Sequence, residues 1–173
     1  MRLINSLFYT SIIFLLFLSI GFTSCEKTPA LQIKTFNYTF NTGQLSPSYA
    51  YSGTHPNSLS AELVLEEMAN GTTKVTVNLK NAVNGQTYMI HSHDAMPSSS
   101  TPNNTPYNEA PNSDVLAQAL TISGTSGSVS QLSTMSIADL TNTYNGFFVI
   151  HDPMQNISTS TPTSFVILGS FAR

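Results

Sequence analysis

Tryptophan is absent from this chain and cysteine occurs once, at Cys25. No disulfide can form within it. Charged residues make up only 9 % of the sequence, against roughly 25 % in ordinary soluble domains. Thr, Ser and Asn stand in their place. The net charge is −3 and nothing forms a basic patch, so no nucleic acid is expected as a partner. A nucleophile motif, a Gly-rich phosphate loop and a converging pair of carboxylates are also missing. Glu66 and Glu67 are adjacent in an alternating segment and therefore point to opposite faces. With 173 residues the chain has one domain's worth of sequence. Its composition suits a β-rich extracytoplasmic protein.

What is present begins with a long apolar run. Arg2 precedes an uncharged stretch, residues 3–24, which meets Cys25 directly. A positive residue, an apolar centre and small residues before a cut site make a secretory signal. The segment Phe22-Thr23-Ser24-Cys25 resembles a bacterial lipobox, with Phe22 where Leu is usual. Two readings follow. In one, diacylglyceryl is attached to Cys25, the chain is cleaved before it, and the protein is held to a membrane by lipid. In the other, the run is an uncleaved signal anchor, since its length suffices to span a bilayer. A lone cysteine at that boundary favours the first. The chain then divides into a lipoprotein signal peptide (1–24), a lipid-anchored tether (25–30) and a single β-sandwich domain (31–173). The expected location is the bacterial cell envelope, periplasmic or surface-facing. No protein partner can be read from the sequence.

Beyond the tether, apolar and polar residues alternate as strands require. The segments 33–40, 60–68, 73–80 and 86–93 read as strands, with Ala61, Leu63 and Leu65 on one face of the second and Val75, Val77 and Leu79 on one face of the third. An edge strand is expected near Tyr49. Asn70-Gly71 is a two-residue hairpin signal and Asn84-Gly85 marks another turn. Residues 97–113 form a polar, proline-rich loop of a length usually reserved for function or loose order. Segments 114–123 and 127–135 return to strands. Ser136 followed by Asp139 can cap a short helix. The segments 146–152 and 163–172 are the most apolar and are expected to be central. About eight short strands with hairpins predict an all-β Greek-key antiparallel sandwich or barrel.

The chemistry lies in two near copies, His93-Asp94-Ala95-Met96 and His151-Asp152-Pro153-Met154. Residues i and i+2 of a strand share a face, so His91 and His93 point the same way and Ile90 points into the core. Val149 and His151 share a face likewise. Two imidazoles from one strand and a third from another make a three-nitrogen metal site. The alternative is that they are ordinary solvent-facing histidines. Met96 and Met154 each follow a candidate ligand by three residues and are possible additional ligands, because thioether sulfur suits copper(I). As adaptable apolar fillers they need no metal. Asp94 and Asp152 can orient a ligand imidazole or form turns. His55, in a turn-rich stretch, reads as a surface residue.

These segments, in this order, resemble the copper/zinc superoxide dismutases. Residues 88–93, YMIHSH, look like the family's first copper-ligand strand. Residues 147–151, FFVIH, look like its later ligand strand, and 164–172 like its closing strand. The resemblance covers roughly residues 59–173. It implies an eight-stranded Greek-key fold with copper on its outer face, held by His91, His93 and His151. The chain departs from the family in lacking the bridging histidine, the zinc ligands, the disulfide (Leu168 stands at the closing-strand position) and the active-site arginine, whose place falls near Phe165. Copper is therefore expected and zinc is not, and dismutase activity does not follow. A CHRD domain is similar in its H-x-H strand and late histidine strand. Its closing motif is missing here, and the interval from His151 to Gly169 is longer than usual. That resemblance implies a non-catalytic structural or interaction module without metal.

Overall fold

Alternating segments become strands at eight places in the computed structural model, which describes residues 30–173. The proposed signal peptide, Cys25 and the tether as far as residue 29 lie outside the described residues. The strands are β1 (Ile33–Thr39), β2 (Ser60–Glu67), β3 (Thr73–Lys80), β4 (Thr87–Asp94), β5 (Ala117–Thr121), β6 (Ser126–Ser133), β7 (Gly146–His151) and β8 (Phe165–Ser170). They form two four-stranded sheets, ordered β1-β2-β3-β6 and β5-β4-β7-β8. Every pairing is antiparallel. Strands β4, β5 and β6 follow one another round the molecule and β7 returns beside β4, which is a Greek key.

The sheets stay open, so the fold is a sandwich and not a closed barrel. Side chains bridge the seams instead. At one seam the Gln131 side-chain oxygen accepts from the Ala117 N–H and the Gln118 amide, both at 2.9 Å. At the other, the Tyr38 hydroxyl donates to the Ser170 carbonyl at 2.9 Å and accepts from the Ala172 N–H at 2.8 Å.

The faces expected to be apolar fill the space between the sheets. Leu63, Leu65, Val75, Val77 and Leu79 from one sheet meet Tyr88, Ile90, Phe148 and Ile150 from the other. Each fully buried aliphatic side chain contributes roughly 1.5–3 kcal/mol. Register is set by the turns: Asn70-Gly71 closes β2 onto β3 with Gly71 at φ +82°, a conformation that glycine adopts without steric cost.

Three local expectations need correction. The segment at Tyr49 is a short helical turn, Pro47–Tyr49, because Pro47 presets the turn and the Ser46 carbonyl accepts the Tyr49 N–H. β8 is an edge strand despite its apolar sequence. It is buried because the segment after β1 folds over it: Asn41 donates its N–H to the Val166 carbonyl and its side-chain amide to the Phe165 carbonyl. The expected helix after β6 forms, and the Ser136 hydroxyl oxygen accepts the Asp139 N–H as a cap, but the helix widens over Asp139–Thr143 into a π-type turn.

Candidate metal centre

Tyr88, Ile90 and Ser92 of β4 face the main core, so His91 and His93 project from the outer face of their sheet. On β7, Phe148 and Ile150 face inward, and Val149 and His151 share that outer face. The ladder pairs His91 with Val149 and His93 with Phe147. His151 lies two residues beyond Val149 and so is diagonal to His91, within side-chain reach. The ring centroids of His91 and His151 are 5.1 Å apart, and those of His91 and His93 are 5.9 Å apart. A β-bulge between β7 and β8 falls at this point and sets His151 opposite Phe165, as bulges do when they re-aim a side chain.

Outer-face residues would normally meet water. These do not: His93 is 0 %, His151 1 % and His91 7 % exposed. The cover is a second apolar cluster of Tyr107, Val149, Phe165 and Leu168, with Tyr49 and Phe147 against it. Tyr107 comes from the long loop between β4 and β5, and its ring lies 5.1 Å from that of His93. Phe165 lies edge-on to His151 at 4.9 Å.

Each ring has a buried nitrogen without a partner. The Nδ1 of His93 lies 2.8 Å from the Asn108 carbonyl. A carbonyl only accepts, so Nδ1 carries the proton and Nε2 of the neutral ring presents a lone pair. That Nε2, Nδ1 of His91 and Nε2 of His151 are buried and unsatisfied. Each of the three residues offers one ligand atom, and these atoms all lie within 4.8 Å of one another. Burial is the main cause that pushes the pKa of His91 down to about 4 and that of His151 to about 3, with neighbouring imidazoles adding to it. His93 is also lowered, by burial first, against the opposing pull of the Asn108 carbonyl and Asp94. All three are neutral at pH 7, the state in which imidazole binds metals.

The carboxylates do other work. Asp94 accepts from the Asn112 amide at 2.7 Å and pins the long loop. Asp152 accepts from the Met154 N–H at 2.9 Å, the Gln155 amide at 2.8 Å and the Tyr51 hydroxyl. Neither hydrogen bonds an imidazole. The duplicated His-Asp-x-Met is thus no repeat in space. β4 and β7 are antiparallel, so the two copies leave the ladder at opposite ends. Met154 is half exposed and Met96 part-buried.

His55 is a further correction. It is 5 % exposed, with Nε2 2.7 Å from the Tyr88 hydroxyl and Nδ1 2.8 Å from the Pro56 carbonyl, and it stands outside the cluster. Sequence reasoning missed Tyr107, Asn108 and Phe165 as site residues. Tyr107 was signalled only as the lone aromatic in a polar loop.

These observations define a class: an all-β sandwich with a buried, uncharged three-histidine cluster that could hold a metal ion. No family model, curated protein or solved structure matches this chain.

Proposed function

We propose that this is a lipid-anchored cell-envelope protein whose dismutase-like domain binds copper through His91, His93 and His151. The observation that carries the reading is a set of three histidines whose ligand atoms, one per imidazole, lie within 4.8 Å of one another, each ring also holding a buried nitrogen without a partner. Each buried polar atom left unsatisfied costs roughly 1–3 kcal/mol, and a shared metal ion satisfies all three at once. A metal-free structural module leaves that cost standing. The fixed tautomer of His93, set by a backbone carbonyl, is the kind of outer partner that orients metal-binding histidines.

Binding is favoured over dismutation. Where the resemblance calls for an arginine beside the metal, Phe165 packs on His151. Arg173, the only arginine among the described residues, donates to the Thr141 and Tyr144 carbonyls. That arginine is thereby engaged away from the histidines. Met96 and Met154 are not needed as ligands.

The test is calorimetric titration of copper into the full chain in detergent, beside a His91→Ala/His151→Ala variant. One copper per chain, lost in the variant, is the expected result. Equal binding by both proteins overturns the proposal.

A further inference from the structure

We infer that the cluster selects copper as Cu(I) over Cu(II) and Zn(II), with the ring of Tyr107 as a specificity-determining shield. This rests on the copper-binding reading. Three features carry it: the charge of the donor set, its number, and its closure.

Imidazole is a neutral donor, and no Asp, Glu or Cys belongs to the cluster. The two acidic residues next in sequence to the ligands are engaged elsewhere, Asp94 with Asn112 and Asp152 with Tyr51, Gln155 and the Met154 N–H. A bound ion therefore has no charged ligand inside an apolar wall of Tyr107, Val149, Phe165 and Phe147. The cost of burying a charge rises with its square, which penalises a divalent ion far more than a monovalent one.

Divalent ions also ask for more ligands. Zinc completes four positions, with water where the protein supplies only three, and Cu(II) favours a tetragonal set. Here each ring holds a buried nitrogen without a partner. Tyr107 closes the side at His93 and Phe165 the side at His151. Cu(I) has no ligand-field demand for a fourth ligand and tolerates three nitrogens.

The experiment uses the full chain in detergent. Cu(I) is supplied without oxygen in competition with bicinchoninate, and Cu(II) and Zn(II) in competition with nitrilotriacetate. Wild type, Tyr107→Ala and the His91→Ala/His151→Ala variant are compared, and folding is checked by circular dichroism. At least about a tenfold preference for Cu(I) over Cu(II) is expected, equivalent to a midpoint about 59 mV or more above the aqueous couple. Zn(II) is expected to bind more weakly than Cu(I). Tyr107→Ala should lose the preference, because it opens the side of the cluster at His93 to water. A preference kept in that variant overturns the shielding role. Divalent binding as tight as Cu(I), still dependent on the histidines, overturns the inference and leaves the copper site. No binding beyond that of the histidine variant overturns both.

Discussion

A histidine on the outer face of a sheet would ordinarily titrate near pH 6.5. Here the cover supplied by Tyr107 and Phe165 turns three such residues into buried neutral bases. The consequence for stability has a definite sign. In the unfolded chain the imidazoles take up protons below about 6.5, whereas His91 and His151 in the fold resist until about 4 and 3. Unfolding therefore binds protons in that window, and stability rises with pH across it. The metal-free protein should show its full urea midpoint above pH 6.5 and lose it progressively towards pH 4. The His91→Ala/His151→Ala variant should show a shallower fall, and parallel slopes would refute the assignment. Tyr107 makes a second residue-level case. Its hydroxyl is buried without a partner, so Tyr107→Phe removes an unmet desolvation cost. Thermal denaturation of the metal-free protein should show no loss of stability and a gain of up to about 1 kcal/mol.

At the scale of elements, the site belongs to the β4–β7 ladder and to what covers it. Alternation alone indicated that His91 and His93 share a face and that Ile90 enters the core. The diagonal approach of His151 depends on register, which pairs His91 with Val149, and on the bulge opposite Phe165. Neither can be read from residues 88–93 and 147–151 taken separately. The long loop was legible as an insertion, yet its role depends on Asn108 and Asn112 returning to β4: the Asn108 N–H donates to the Asp94 carbonyl and the Asn112 N–H to the Ser92 carbonyl, both at 2.8 Å. Asn41 does the same for β8, its side chain donating to the Tyr49 and Phe165 carbonyls at 2.8 and 3.1 Å. Asn41→Ala strands both acceptors and should cost about 1–3 kcal/mol in urea denaturation. It should also weaken copper binding by loosening Phe165 against His151. Unchanged copper affinity at reduced stability would separate the two roles.

At the scale of the whole molecule, the proposed metal would be linked to the fold. An ion that binds only the folded sandwich at a hundred times its dissociation constant should stabilise it by about 2.7 kcal/mol. Differential scanning calorimetry with and without copper measures this, and the gain should vanish in His93→Ala. The proposed lipid anchor rests on a different segment: Cys25→Ala should abolish labelling by radioactive palmitate, and continued labelling would reject it. The amino-acid sequence by itself determined the all-β class, the core faces of β2, β3 and β4, and the shared face of His91 and His93. These follow from a two-residue period and from local turn chemistry, which neighbouring residues encode. Only the tertiary structure decided that the sandwich stays open, that His55 is buried and apart, that the two His-Asp-x-Met copies diverge, and that Tyr107 and Phe165 seal the imidazoles from water. Those outcomes depend on register and on contacts between residues distant in the chain, where no local period carries the information.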